Sequence, residues 1–399
     1  MKRLGVVFLT LLLIFSLSAC DFELPKWEFK FPVDTYLSGL TTSPPTTTTT
    51  VRKADTSSSI GELTPLSPWL YYGLSCLKRE ENAEAMTTAY NELSTAVQNL
   101  QKEFSLSADI TEKDFLTVFY YYRSDYPQHF WCEGNIRYSL VDGNVKTVTL
   151  TFNMEKAEIL KAEAEFNAVV TELLQVAAEG KDEFERERLL HDALAKKVEY
   201  VDGKHAHSAY GALVEGKAVC EGYARAFQYL LYQSGIQCLM AEGESKNPAS
   251  QKTELHAWNV VRINGRYYHT DLTWDDNDND EMPVMYPYFN VSTEQINRDH
   301  TVDSKENYPL PICNSMADNY HVRNGTWLET YDVAKIAAVM LYHPEETHIY
   351  AAGAGGRDRF VVWFESNLWD ILDVLMIRRA TSYSLWRSGD EVAICLSFE

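Results

Sequence analysis

The dipeptide Asn264-Gly265 constrains this chain more than any other pair of residues. Asn followed by Gly suits a two-residue type I′ connection, in which both central residues take positive φ. The flanking runs Ala257 to Ile263 and Arg266 to Thr270 therefore read as the two arms of an antiparallel hairpin. A two-residue turn at this place sets Asn259 opposite Thr270 and Trp258 opposite Asp271. His256, two residues from Trp258 on the same face, becomes the diagonal neighbour of Asp271.

Upstream, Lys217-Ala218-Val219-Cys220-Glu221-Gly222-Tyr223 runs a small-residue loop through a cysteine into an amphipathic helix, Glu221 to Gln233, with Ala224, Phe227, Leu230 and Leu231 on its apolar face. A thiol attacks well only once ionised, and a helix N-terminus and a neighbouring imidazolium both favour the thiolate. Cys220 can have both, with His256 as the imidazole and Asp271 as the carboxylate that orients it. Separately, a buried Cys, a sheet His and a turn Asp are common structural residues. Together, on these elements, they make candidate chemistry. The backbone N–H of Cys220 is the expected oxyanion donor, with His207 or Tyr210 as candidates for a second, and Trp258 and Trp274 either wall the cleft or fill the core. No cofactor signature and no metal-ligand spacing is legible among the seven cysteines, so most are expected to be small core residues.

The rest of the chain divides by composition. Residues 1–19 read as an export signal, with Lys2 and Arg3 before the apolar run Leu4 to Leu17, and Leu17-Ser18-Ala19-Cys20 resembles a bacterial lipobox with Cys20 as the lipidated residue. Residues 20–64, with a Thr/Pro-rich centre, are expected to be a disordered tether. A net charge of −21 argues against nucleic-acid binding and against electrostatic adhesion to anionic lipid, which leaves the Cys20 lipid as the membrane attachment on the extracytoplasmic face. Residues 65–180 read as an N-terminal α+β region, 181–305 as the core carrying the candidate site, and 306–399 as a C-terminal α+β region. In the last, a strand over Arg359 to Glu365 is expected before a helix from Ser366, with that serine as N-cap. His191 is read as a structural histidine of the helix Phe184 to Val198. The acidic run Asp275 to Glu281 lacks the glycine turn and spaced glutamate of a calcium loop and is expected to be solvated.

The combination Ala209-Tyr210-Gly211-Ala212-Leu213-Val214-Glu215-Gly216-Lys217-Ala218-Val219-Cys220-Glu221-Gly222-Tyr223, His256-Ala257-Trp258-Asn259 and Tyr268-His269-Thr270-Asp271-Leu272-Thr273-Trp274-Asp275 resembles the bacterial branch of the transglutaminase-like superfamily. The resemblance implies a papain-like α+β core and assigns nucleophile to Cys220, acid/base to His256 and orienting carboxylate to Asp271. It departs from the family at Glu221, where animal transglutaminases and papain-like proteases carry Trp, and at Leu272, where relatives often have Pro. The expected activity is thiol acyl chemistry on amide bonds of a protein or peptide substrate, cell-wall peptide included, with water or an amine resolving a Cys220 thioester. The competing expectation is a catalytically silent module of the same fold that binds a cell-surface partner.

Overall fold

The structure is a computed structural model that describes residues 70–246, 251–276, 282–303, 309–342, 345–377 and 382–397. The signal, the lipobox Cys20 and the tether lie outside these residues. No described helix is long and apolar enough to cross a membrane.

The N-terminal region sets helices α1 (Tyr72–Leu77), α2 (Ala83–Gln98), α3 (Glu112–Asp125) and α4 (Lys156–Ala177) around a small antiparallel sheet of β1 (Glu103–Ser105), β2 (Cys132–Val141) and β3 (Asn144–Phe152), in the order β1-β3-β2. Thr111 caps α3 by accepting from the Asp114 N–H, and Glu155 and Glu158 form a reciprocal capping box on α4. Both devices satisfy first-turn N–H groups that have no partner within the helix.

The central region follows with α5 (Glu183–Ala195), the short parallel pair β4 (Glu199–Tyr200) and β5 (Lys217–Ala218), then α6 (Cys220–Gln233) and three strands, β6 (Cys238–Lys246), β7 (Thr253–Ile263) and β8 (Arg266–Thr270). The helical turns α7 (Leu272–Asp275) and α8 (Thr293–Ile296) precede β9 (His300–Val302), which pairs with the far edge of β6 to give the sheet order β8-β7-β6-β9. The hairpin takes the expected register, with Asn259 opposite Thr270, and both turn residues adopt positive φ, 50° at Asn264 and 80° at Gly265. One continuous apolar core runs from Leu70 through Phe115, Phe166, Phe227 and Trp258 to Cys313, so the N-terminal and central regions bury their apolar faces against each other. The whole is α+β.

The C-terminal region comprises α9 (Tyr320–Arg323), β10 (Trp327–Leu328), α10 (Val333–Tyr342), β11 (Glu346–Ala351), α11 (Gly356–Val374), β12 (Ser382–Ser388) and β13 (Glu391–Ser397), with a sheet ordered β10-β11-β13-β12 and a core of its own. Here the sequence expectation is corrected. Residues 359–365 are helical, and Ser366 is inside α11 with its hydroxyl donating to the Val362 carbonyl. The run Phe-Val-Val-Trp-Phe has strand composition, but Phe360, Phe364, Leu368 and Ile371 recur on one helical face, and burying that face overrides the local preference. The strands β10 and β11 carried no periodicity strong enough to be read.

Tight packing fixes where α6 begins. The Ala206 carbonyl accepts from the Val219 N–H at 3.0 Å and lies against Gly222, where an added Cβ would sit 2.2 Å from that oxygen. Neither backbone can yield without moving the helix start. Gly222→Ala is therefore expected to cost about 1–3 kcal/mol, measured by denaturant unfolding, and to displace Cys220; unchanged stability would show that the loop is free to move.

Candidate active site

The helix α6 starts at Cys220 behind Val219, an extended N-cap residue whose side chain satisfies none of the first-turn N–H groups. The cysteine thus sits at the positive end of a 14-residue helix. Its side chain is half-buried and packs with Ala224, Met240 and Ala257, one turn along α6 and on the two central strands beneath.

Those strands deliver the other two residues. The imidazole of His256 lies with Nε2 at 2.7 Å from Asp271 Oδ2 and has the Cys220 side chain as a neighbour. Asp271 follows the last residue of β8 and is fully buried. Its Oδ1 caps α7 by accepting from the Thr273 and Trp274 N–H groups at 3.1 and 3.3 Å, which turns Oδ2 toward the imidazole. Burial alone would drive the His256 pKa down; the charge and hydrogen bond of Asp271, with the Cys220 contact, hold it up at about 10. Burial likewise works against the Asp271 carboxylate, and His256 and His300 together hold it well below the usual carboxylate range.

His300 is the residue the sequence did not reveal. It is buried in β9, places Nε2 at 3.0 Å from the same Asp271 oxygen and Nδ1 at 2.6 Å from Asp299 Oδ1, and packs against the Trp274 ring at 4.6 Å. Tyr288 donates to the other Asp299 oxygen at 2.7 Å, so the polar line continues from Cys220 through His256, Asp271, His300 and Asp299 to Tyr288. The ligand atoms of His256, Asp271 and His300 lie within 4.8 Å of one another. Both imidazole nitrogens meet one carboxylate oxygen, at 2.7 and 3.0 Å, and hydrogen bonds of these lengths account for the cluster. The only signal in the sequence was an Asp-His pair, far from the hairpin.

The other candidates fall as follows. Trp258 is a core residue, 1% exposed, with its indole N–H donating to His269 Nδ1 at 3.0 Å. Burial pushes His269 down to about 3, so that ring is neutral. Trp274 is partly exposed and walls the site beside His256 and His300. His207 is 65% exposed on the rim with Nδ1 at 3.2 Å from Glu221. Tyr210 is corrected as an oxyanion donor: its hydroxyl donates to Glu165 on α4 at 3.2 Å and its ring stacks on Phe130. Tyr200, a half-exposed residue of β4 that the sequence did not mark, has its hydroxyl beside the Cys220 backbone N–H. His191 is structural as expected, buried between Asp275 and Asp192. Asp275 is corrected as a member of a solvated loop: it is 1% exposed and also accepts from the Tyr288 N–H at 2.8 Å. Residues 277–281 of that run lie outside the described residues. All six described cysteines are free thiols, and Cys76, Cys132, Cys238 and Cys313 are buried.

Residues 173–272 match the family model described as "Transglutaminase-like superfamily". This chain carries a transglutaminase-like domain. The match holds Cys220, His256 and Asp271 and ends before His300. Kyphoscoliosis peptidase of Mus musculus is 28% identical over 157 residues, 35% of this chain and 23% of that protein. The Homo sapiens protein of that name is 28% identical over 148 residues, 33% of this chain and 22% of its own length. The chain thus spans less than a quarter of the curated relatives it matches. Among solved structures, a crystal structure of a TGase has 12% identity and a TM-score of 0.26, over 37% of this chain and 46% of that one.

The charges in the transglutaminase-like domain predict a pH signature. His256, raised when folded, adds stability that is complete below its unfolded value of about 6.5 and is lost as pH rises through about 10. Asp271, lowered when folded, adds stability that is present above about pH 3.9 and is lost as pH falls through its folded value. Asp271→Asn should therefore destabilise most between about pH 4 and 6.5, with the deficit shrinking toward about pH 10. Denaturant unfolding of both proteins across that range measures it, and a deficit independent of pH would refute the ion pair.

Proposed function

We propose that this protein is a cysteine enzyme that cleaves amide bonds of protein or peptide substrates through a thioester on Cys220. The observation that carries this reading is the His256 ring, held by Asp271 at 2.7 Å beside the Cys220 side chain at the start of α6. The transglutaminase-like domain supports it.

In this reading Cys220 and His256 act as thiolate and imidazolium. The sulfur attacks the amide carbonyl carbon, and the carbonyl oxygen takes the Cys220 N–H in place of the Tyr200 hydroxyl as charge develops on it. His256 gives its proton to the leaving amine, the C–N bond breaks, and a thioester remains. Water then enters, gives a proton to His256, and releases the acid with the sulfur returned as thiolate; an amine in place of water would give transglutaminase-type transfer. Asp271 and His300 keep the ring oriented throughout. The lipobox-like Leu17-Ser18-Ala19-Cys20 supports an address on the extracytoplasmic face of a bacterial membrane, anchored by lipid on Cys20, where cell-wall peptides and surface proteins are within reach.

The test is a peptide library with intact-mass detection of acyl adducts. Cys220→Ala should lower turnover by about 10³-fold or more, with no adduct, and His256→Ala should slow alkylation of Cys220 by iodoacetamide near neutral pH by about tenfold. Equal alkylation of wild type and His256→Ala, with no turnover by either, would favour a silent binding module.

A further inference from the structure

A cavity of about 390 Å³ opens beside Glu221, the residue next to the candidate nucleophile. The chain carries a net charge of −21, yet this cavity is lined by Arg123, Lys204 and Arg225 against one described carboxylate, Glu221. That carboxylate is already engaged. Its Oε1 accepts from Arg225 Nε at 2.9 Å, and its Oε2 lies 3.2 Å from His207 Nδ1. Arg225 also donates to the Arg123 carbonyl at 2.9 Å, which seats the two guanidinium groups near each other. The Glu221 and Glu242 carboxylates act on the Arg123 guanidinium through their charge. A partly buried arginine beside a second arginine is a site for an incoming anion.

Two further lining residues each have one buried atom without a partner. His205 is 9% exposed at its side chain and bonds Glu215 through Nδ1 at 2.6 Å, while its Nε2 is buried with no hydrogen-bond partner. Asn153 donates to the Phe130 carbonyl, while its Oδ1 is buried without a partner. A cationic fork, an orphan imidazole nitrogen and an orphan amide oxygen together suit a ligand with both a carboxylate and an N–H.

We propose that this cavity is a subsite for a carboxylate of the peptide substrate, from an acidic side chain or a chain terminus, seated on Arg123 and Lys204 while another part of the same peptide reaches Cys220. The assignment rests on Cys220 being the nucleophile. Glu221 bonds Arg225 directly and acts on Arg123 through its charge, which leaves the Arg123 donors for the substrate.

Binding tests this without requiring turnover. Full-length Cys220→Ala protein is titrated with dye-labelled Ala-Ala-Glu-Ala-Ala and Ala-Ala-Gln-Ala-Ala, both amidated, and with an all-Ala pentapeptide as free acid and as amide, read by fluorescence anisotropy. The Glu peptide, the free acid or both should bind at least about tenfold more tightly than their neutral counterparts, with the advantage falling in high salt. Which of them does so tells side-chain from terminal carboxylate. Arg123→Gln should remove the advantage, and Lys204→Gln, at an exposed position that threatens no core, should reduce it. Equal affinity for charged and neutral peptides, or an advantage intact in both variants, overturns the subsite. If wild type also cleaves neutral peptides as fast as acidic ones, the subsite fails and the cysteine enzyme stands; if carboxylate binding is present and no peptide is cleaved, the nucleophile reading fails instead.

Discussion

The Asp271 carboxylate is the interaction on which the site depends. It is fully buried at the junction of β8 and α7, where two backbone N–H groups and two imidazoles converge on its oxygens. Removing a carboxylate from water costs several kcal/mol, so such a group is stable only where its acceptor positions are filled by donors of suitable charge. Each donor here comes from a different part of the fold: α7 from the chain just beyond, His256 from the adjacent strand, His300 from the opposite edge of the sheet. Sheet order is therefore part of the chemistry. With β9 absent from the edge of β6, His300 would be lost and one side of the carboxylate would face a void.

How much of this was legible follows from the sequence separation of the parts. The pairing of His256 with Asp271 was readable because Asn264-Gly265 fixes a register and side chains alternate strictly along strands. Cys220 was readable because a small-residue loop entering an amphipathic helix is a local pattern. His300 was not, since its approach depends on the irregular path from Asp276 to Asp299, which carries neither period 2 nor period 3.6. Tyr200 was missed for a related reason. It lies in a two-residue parallel pair with β5, too short to leave a pattern, yet that pairing is what brings its hydroxyl to the Cys220 backbone. The misassigned start of α11 has another cause: a β-branched and aromatic run states a local preference that burial of Phe360 and Phe364 overrides.

Helix α6 divides its work by face. Cys220 and Ala224 turn to the sheet, while Glu221, Arg225 and Gln228 turn to the end of α3, where Arg225 and Gln228 donate to the last-turn carbonyls of Arg123 and Ser124. Those carbonyls have no N–H partner within their own helix, so the two side chains act as a C-terminal cap supplied from another element. The N-terminal region is in this way fastened to the residue next to the candidate nucleophile. The Glu221 carboxylate, accepting from Arg225 Nε at 2.9 Å, holds that side chain in its capping position.

The C-terminal region reaches the site by a longer route of the same kind. Glu391 of β13 is fully buried, accepts from the Tyr286 backbone N–H at 2.7 Å, and holds His348 at 2.6 Å and His321 at 3.4 Å. Tyr286 stacks on His191, and His191 holds Asp275, the last residue of the helical turn that Asp271 caps. Each link is a buried polar group whose alternative partner would be a vacant interior, so a shift at any one leaves an unsatisfied charge or donor at the next. The C-terminal region thereby fixes one end of α7, and the orientation of the Asp271 carboxylate depends on both ends of that turn.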